Sequence, residues 1–431
     1  MSLLMFEGMN STRSISSDGE ENKGITTIPI SFCVASFGYM VIWTGIGSRV
    51  SYFNDTYGPT FFVMLNIAFY VTGLPIAVLQ KIYDNYFDSK MTSRVSVGFR
   101  LNVCMISMSV CAFILPFLTK QAFIGIVCII GVFTWSVHGT VSKAAALVKY
   151  NASIYQQFGF ALPGIVSIAL LFILPTFKQE NSREFFFYGS LSILALFSLV
   201  AHTSILNNGH VLVVLDGKDE EFNLSSNVEY SPITDGRHEE NSEVTVEIDS
   251  ISLEEVASLD TLLIKSAVKH TDYMHMSTIF ITIFASVLQA SFISFVPSKS
   301  AFPIIETLYF TRLFADMFGR PLALLHPPAS CDTIQFILGV ALLRLLFCFL
   351  FFVYVFSRRD GINNAFIIVL QVIISASSGY IVASVYDKAA ALSGSQQRNY
   401  RILARMNIAF QCACACSSLT AGLVLASSAR L

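Results

Sequence analysis

Three ionisable residues stand inside one apolar run near the end of the chain. Arg312, Asp316 and Arg320 lie in the segment 302–325 and are spaced i, i+4, i+8, which puts them on one face of a helix. A charge at the centre of a bilayer costs at least about 2.5–3.5 kcal/mol, so this face is expected to point into a protein or water-lined interior. Asp316 can neutralise one arginine, which leaves a planar donor fork for a polar ligand. An ion pair that only orders the bundle is the alternative.

Three further residues could contact a ligand at membrane depth. Arg344 is an isolated charge in GVALLRLLFCF, for which Asp316 or a backbone carbonyl would be the partner. His138 lies beside Gly139, where a close backbone approach is possible, and could contact the ligand or be a hydrogen-bonded interior residue. Trp43 is either an interfacial anchor or a stacking surface for a planar ligand.

Signatures of catalysis and cofactor binding are missing from the sequence. It has no Walker A, GxGxxG, HExxH or GxSxG pattern, and its nine cysteines show no metal-ligand spacing. We therefore predict no catalytic residues, no metal, no cofactor and no enzymatic activity.

Composition indicates a membrane protein. Of 431 residues, 54% are hydrophobic and 13% charged, with a mean hydropathy of +0.63. Soluble domains carry about 25% charged residues. A chain this poor in charge cannot cover a water-facing surface, which excludes an ordinary cytosolic enzyme and a disordered scaffold. No basic run is long enough to indicate nucleic-acid binding.

Apolar segments about 20 residues long predict an all-α integral membrane protein with about 11 transmembrane helices. The predicted spans are 27–48, 59–80, 98–118, 121–142, 154–176, 184–206, 273–297, 302–325, 332–357, 362–386 and 402–428. The fourth and eighth carry ionisable groups, and the total is expected to lie between ten and twelve. The spacing gives six helices, a loop and then five helices.

The span positions divide the chain into four parts. We expect a polar cytoplasmic N-terminus (1–26), a six-helix half (27–207), an acidic, largely disordered cytoplasmic loop (208–272) and a five-helix half (273–431). Lysine and arginine in the short loops favour a cytoplasmic N-terminus. The expected location is the plasma membrane, with an organelle membrane as the alternative. Asn54 begins a glycosylation sequon on the predicted outer side.

In four segments that contain these residues, the chain resembles the equilibrative nucleoside transporter family. The motifs that carry the resemblance are Asp316-Met317-Phe318-Gly319-Arg320 (D-x-x-G-R), Leu343-Arg344-Leu345-Leu346-Phe347 (R-x-x-F), the stretch 378–384 (N-G-Y-x-x-S in the family), and residues 139–144 followed by Gly159 and Gly164. The 6+5 layout with a large hydrophilic loop extends the resemblance over the whole chain, and the resemblance implies a major-facilitator-like bundle.

The resemblance implies transport of nucleosides, and in some members nucleobases or organic cations, by alternating access. It implies that Asp316 and Arg320 line the pathway as a pair, with Arg320 binding the ribose hydroxyls. Trp43 matches a pathway tryptophan, and His138 stands where many members have a base-contacting glutamine. The implied partners are a nucleoside or nucleobase, membrane lipid and possible coupling protons.

Departures from the family pattern concern the ligand contacts. Thr44 and Ser378 stand where asparagine is common, Leu313 occupies a position that is often polar, and Arg312 adds a charge. His138 adds a group that titrates near neutrality, which predicts pH-sensitive uptake or base preference.

Other functions fit parts of the same pattern. A major-facilitator carrier of another small polar solute or organic cation is the nearest alternative, since such carriers also have D-x-x-G-R-like elements. A receptor, an intramembrane enzyme and a channel are less compatible, because the sequence shows no paired carboxylates, nucleophile–base pair or selectivity filter at depth.

Overall fold

A computed structural model describes residues 21–148, 152–208, 211–212, 215, 253–296, 303–325, 331–357, 363–391 and 396–428. The described chain is helical throughout. In the first half the helices are α1 (Glu21–Ser48), α2 (Val50–Tyr57), α3 (Pro59–Tyr70), α4 (Gly73–Lys90), α5 (Ser93–Ile114), α6 (Lys120–Val148), α7 (Ala152–Ala161), α8 (Pro163–Ile173), α9 (Glu180–Phe197) and α10 (Leu199–Asn207). In the second half they are α11 (Leu253–Phe292), α12 (Ile304–Gly319), α13 (Cys331–Ser357), α14 (Asn364–Ala391) and α15 (Gln396–Ser428).

Ten segments of the described chain are long and apolar enough to cross a membrane, which makes it an integral membrane protein. They are Ile28–Ser48, Pro59–Tyr83, Arg94–Phe117, Lys120–Val148, Ala152–Thr176, Glu180–Asn207, His270–Phe295, Thr333–Ser357, Asn364–Ala389 and Ile402–Ser427. Each corresponds to one of the spans predicted from the sequence.

The eighth predicted span differs from the other ten. Its helix α12 has 16 residues and is followed by the 3₁₀ segment Arg320–Leu325. At 1.5 Å per α residue and 2.0 Å per 3₁₀ residue, the two parts extend about 24 Å and about 12 Å. Only the two parts together are long enough to cross a hydrocarbon core of about 30 Å. The charged face of α12 also makes this span less apolar than the others.

Three of the spans are broken helices. The second consists of α3 and α4, the fifth of α7 and α8, and the sixth of α9 and α10. Pro163 begins α8 and has no amide hydrogen to donate to the preceding turn, which accounts for the break in the fifth span. The breaks in the second and fifth spans lie in helices that contact the other half of the molecule.

The predicted polar segments lie mostly outside the described residues. Residues 1–20 and 216–252, which include most of the acidic loop, are among these. Helix α1 begins at Glu21, before the predicted start of the first span. Helix α11 runs without interruption from Leu253 into the seventh span. Asn54 lies within helix α2, and its glycosylation stays a prediction.

Helices of the two halves pack against each other around the centre of the molecule. Helix α1 packs on α7, α8 and α9, while α11 packs on α13, α14 and α15. Between the halves, α15 contacts α3, α4 and α6, and α14 contacts α7. The interior between these contacts contains both apolar and polar buried side chains.

Candidate functional site

A cavity, here called the central cavity, lies between the two halves. Its aromatic lining residues are Trp43, Tyr70, Trp135, Phe160, Tyr309 and Phe410. Its polar and charged lining residues are Thr44, Gln157, Ser286, Gln289, Arg312, Asp316, Arg320, Arg344, Ser375 and Ser378. The space between atoms amounts to about 930 Å³, open solvent included, but only about 100 Å³ admits the centre of a water-sized sphere. The cavity is therefore narrow in this conformation.

Most residues singled out from the sequence meet in this cavity, although they come from four helices. Seven of the eight line it, and His138 does not. The seven are Trp43, Thr44, Arg312, Asp316, Arg320, Arg344 and Ser378. The charged face of α12 thus points into the interior between the halves.

The Asp316–Arg320 pair lies on that face. Arg320 donates to Oδ2 of Asp316 from Nε at 2.9 Å and from Nη2 at 2.7 Å. Arg320 is buried, whereas Asp316 is half-buried at the cavity wall. The other carboxylate oxygen, Oδ1, accepts no hydrogen bond among the bonds found in the described chain, so it can accept one from a ligand hydroxyl.

Arg320 also reaches the opposite half. Its Nη1 donates to the backbone oxygen and to Oε1 of Gln157 in α7, each at 2.8 Å, and its guanidinium carbon lies 5.2 Å from the centre of the Phe160 ring. These bonds and those to Asp316 use four of the five N–H groups of the guanidinium. One N–H remains for a ligand. Sequence analysis missed Gln157, although two adjacent glutamines in an apolar span were a usable signal.

Close backbone contact places the pair. Helices α12 and α14 approach so tightly that a Cβ on Gly379 would overlap the backbone oxygen of Asp316. A Cβ on Gly319 would in turn overlap the backbone oxygen of Ala376. Gly319 of the D-x-x-G-R segment and Gly379 of the S-G-Y segment therefore allow α12 and α14 to pack closely.

Arg344 forms bonds within the second half only. Its Nε donates to the carbonyl of Ile374 at 2.9 Å and its Nη1 to that of Thr282 at 2.8 Å. Its Nη2 donates to Oγ of Ser286 at 2.5 Å, and Oγ of Ser286 lies 2.8 Å from Oγ of Ser378. Of the two partners considered from the sequence, the backbone carbonyl is the one observed. Arg344 thus ties three helices together beside the cavity.

Arg312 is in a different situation from the other two arginines. It lines the cavity and forms no ion pair with a carboxylate in the described part of the chain. Its neighbours are the hydroxyl groups of Tyr70, which accepts a hydrogen bond from it, and of Tyr309. The remaining N–H groups of the guanidinium are available to a ligand.

Trp43 forms part of an aromatic wall. Its ring stacks on Phe69 with centroids 3.9 Å apart and planes 3° from parallel, and its Nε1 donates to the Tyr70 hydroxyl at 3.2 Å. The tryptophan side chain is held by these two contacts, and it is 6% exposed. A rigid aromatic surface of this kind suits a planar ring. The neighbouring Thr44 accepts a hydrogen bond from the Tyr309 hydroxyl at its backbone oxygen, 3.3 Å away.

His138 lies behind the cavity lining. Its ring is 5.5–5.7 Å from the rings of Trp135, Phe160 and Phe410, all of which line the cavity. Its Nδ1 lies 3.0 Å from the hydroxyl of Tyr39. In this conformation His138 is 1% exposed, so a ligand in the cavity reaches it only through other side chains.

A chain of hydrogen bonds connects His138 to the ion pair. Gln156 Nε2 donates to the Tyr39 hydroxyl at 2.9 Å, Gln157 Nε2 donates to Oε1 of Gln156 at 2.9 Å, and Gln157 Oε1 accepts from Arg320. The Tyr39 hydroxyl can share either its own hydrogen or its second lone pair with His138 Nδ1, so both neutral forms of the ring fit this contact.

Comparison with known proteins rests on structure. No protein-family model matches the chain, and no curated protein matches it. The solved structure of the proton:xylose symporter XylE bound to 6-bromo-6-deoxy-D-glucose, which is described as a major facilitator superfamily protein, aligns with a TM-score of 0.57. The alignment covers 94% of this chain and 90% of that one at 13% identity. The fold is that of the major facilitator superfamily.

Other solved structures align over a similar length. A partially occluded inward-open conformation of XylE from E. coli has a TM-score of 0.50 at 13% identity, covering 94% of this chain and 99% of that one. A D323A mutant of the nucleoside transporter NupG has a TM-score of 0.49 at 14% identity, covering 91% and 90%, which is too low to carry an argument. At such identities the likeness concerns the major-facilitator fold and not the substrate.

Proposed function

We propose that this protein is a membrane carrier that moves nucleosides, and also nucleobases, by alternating access. The observation that carries the proposal is the central cavity itself. It lies between two helical halves and combines a polar pair, Asp316 and Arg320, with an aromatic wall. Binding sites between such halves are typical of carriers that expose one site alternately to each side.

The two parts of the cavity suit the two parts of a nucleoside. Oδ1 of Asp316 and the remaining N–H of Arg320 are an acceptor and a donor for sugar hydroxyl groups. The rings of Trp43, Tyr70 and Phe410 offer flat apolar surfaces for a base. The resemblance of the D-x-x-G-R and S-G-Y segments to the nucleoside transporter family supports the same assignment. His138 acts on the base indirectly, through the lining residues.

A second candidate is a major-facilitator carrier of another small polar solute. The alignment with a xylose symporter favours this candidate, since a sugar would also use Asp316 and Arg320. An organic cation fits less well, because the cavity is lined by three arginines and one aspartate. Coupling to protons and facilitated diffusion are both compatible with the proposal.

Uptake in transport-null cells tests the proposal. Radiolabelled adenosine, uridine, inosine and hypoxanthine are offered at two external pH values, with and without a protonophore. Saturable uptake competed by unlabelled nucleosides supports the proposal, and sensitivity to the protonophore identifies a symporter. Asp316→Asn should abolish uptake, whereas Asp55→Asn, which removes an exposed carboxylate from α2, should not. If the protein reaches the surface and xylose enters while no nucleoside does, the second candidate is correct.

The membrane and the orientation belong to the same proposal. We place the protein in the plasma membrane with its N-terminus in the cytoplasm, from the distribution of lysine and arginine in its short loops. An epitope at each end, detected in intact and in permeabilised cells, tests both assignments. The N-terminal epitope should be detected only after permeabilisation.

A further inference from the structure

Arg312 differs from the other arginines of the central cavity in having donors to spare. Arg320 is bonded to Asp316 and Gln157, and Arg344 to two carbonyls and Ser286. No hydrogen bond to a carboxylate or carbonyl engages Arg312 in the described part of the chain. Its neighbours are the ring hydroxyls of Tyr70 and Tyr309, and the Tyr70 hydroxyl accepts a hydrogen bond from it. A guanidinium has five N–H groups, so those that Tyr70 does not engage can bind a ligand in the cavity.

The charge of the cavity lining indicates what kind of ligand Arg312 can bind. Three arginines and one aspartate line the cavity. The half-buried guanidinium of Arg312 has the Tyr70 hydroxyl as a neutral acceptor but no carboxylate, and a ligand that brings two acceptors in one plane would satisfy its remaining N–H groups. The ligand edge opposite Arg312 is therefore expected to present acceptors and no donor.

Resting on the proposed function, we propose that Arg312 determines specificity by reading the base, and that the preferred substrates are 6-oxopurine nucleosides such as inosine and guanosine. Their O6 and N7 are adjacent acceptors that match the arginine fork, as they do when arginine reads guanine. Adenine presents N7 and an amino group at the same edge. Its amino N–H would then face an N–H of Arg312, and two donors cannot form a hydrogen bond. Pyrimidines lack this edge altogether.

The position of Arg312 along its helix fits this assignment. It lies four residues before Asp316, an axial rise of about 6 Å. A nucleoside aligned with α12 can therefore offer its sugar to Asp316 and its base edge to Arg312. The rings of Trp43 and Tyr70, which both line the cavity and are nearly perpendicular to each other, then contact the base as one face and one edge.

Exchange of Arg312 tests the inference. In competition uptake, the parent protein should favour inosine over adenosine by about 5- to 140-fold, the range expected for one bidentate base contact. Arg312→Gln should reverse the preference, because an amide complements N6 and N7 of adenine. Arg312→Lys keeps the charge but not the fork, and should weaken inosine uptake without improving adenosine uptake. Arg94→Gln, at an exposed position, is the matched control and should leave the ratio unchanged.

A binding measurement covers variants that no longer transport. Thermal unfolding of the detergent-purified protein is followed with inosine or adenosine added, and the nucleoside that raises the midpoint should change from inosine to adenosine in Arg312→Gln. An unchanged inosine-to-adenosine ratio in Arg312→Gln, or a parent that prefers adenosine, overturns the inference while leaving the proposed function intact. The inference is also overturned if the parent takes up organic anions in preference to nucleosides and Arg312→Lys retains this uptake. Absence of all nucleoside uptake and binding instead removes the proposed function.

Discussion

Arg320 and Gln157 join the two halves of the molecule through a two-point hydrogen bond. Nη1 of Arg320, at the end of α12, lies 2.8 Å from both the backbone oxygen and Oε1 of Gln157 in α7. The same guanidinium holds Asp316 in its own half. A rocking motion that separates α7 from α12 must break the contact to Gln157 and can keep the one to Asp316.

We expect Gln157→Ala to loosen this connection. The substitution removes one hydrogen bond to a charged group, worth about 1.5–3 kcal/mol, so an open conformation should become about tenfold or more populated. Cys414 lines the cavity and is fully buried here, so its reaction with a small thiol reagent reports opening. In a background where Cys414 is the only cysteine, labelling should be faster in Gln157→Ala than in the parent. An equal rate would show that the bond does not hold the halves together.

The Asp316–Arg320 pair should behave as a unit. Breaking a buried pair by removing one partner costs about 3–5 kcal/mol, because a charge is left unpaired. Asp316→Asn and Arg320→Gln should each lower uptake by more than about a hundredfold. If pairing is the main role, the double variant should recover part of the thermal stability lost in the single ones. A double variant as unstable as the sum of the two would mean that each residue acts separately.

His138→Gln should leave the dependence of uptake on pH unchanged, in contrast to the expectation from the sequence. His138 is 1% exposed and lies among the rings of Trp135, Phe160 and Phe410. Burial without a carboxylate partner disfavours a charged imidazole, so the ring is expected to stay neutral between pH 5.5 and 8. Initial uptake rates over this range in parent and variant make the comparison. A flatter profile in the variant would show that His138 gains a proton during transport.

Gly379→Ala should disturb the site through the backbone. Its Cβ would overlap the backbone oxygen of Asp316, so α12 and α14 must move apart. Overpacking of this kind costs about 1–3 kcal/mol, and a lower unfolding midpoint with reduced uptake is expected. Gly339→Ala in α13 is the matched control, since its Cβ would contact nothing within 4 Å. That variant should be as stable as the parent or slightly more so, because alanine favours a helix over glycine by up to about 1 kcal/mol. Equal midpoints for the two variants would contradict the close-packing argument.

The sequence was sufficient to locate the membrane helices and the charged face of α12. Both are local properties: a span needs enough apolar length, and charges four residues apart share a helix face whatever packs against it. Ten spans follow from the length and apolar composition of their segments. The eighth is the exception because α12 is short and charged. The cost of an exposed charge in lipid also determined that this face points inward.

The partners of those charges were decided by the tertiary structure. Gln157 meets Arg320 from 163 residues away, and Arg344 bonds to carbonyls on two other helices. His138 lies behind the aromatic lining, and its hydrogen bonds lead to the ion pair through Tyr39 and the glutamines. Such pairings depend on how each helix is rotated and how closely its glycines allow it to approach its neighbours. Apolar length and charge spacing contain no information about rotation, so the sequence could name most of the cavity residues but not which of them remain free to bind a ligand.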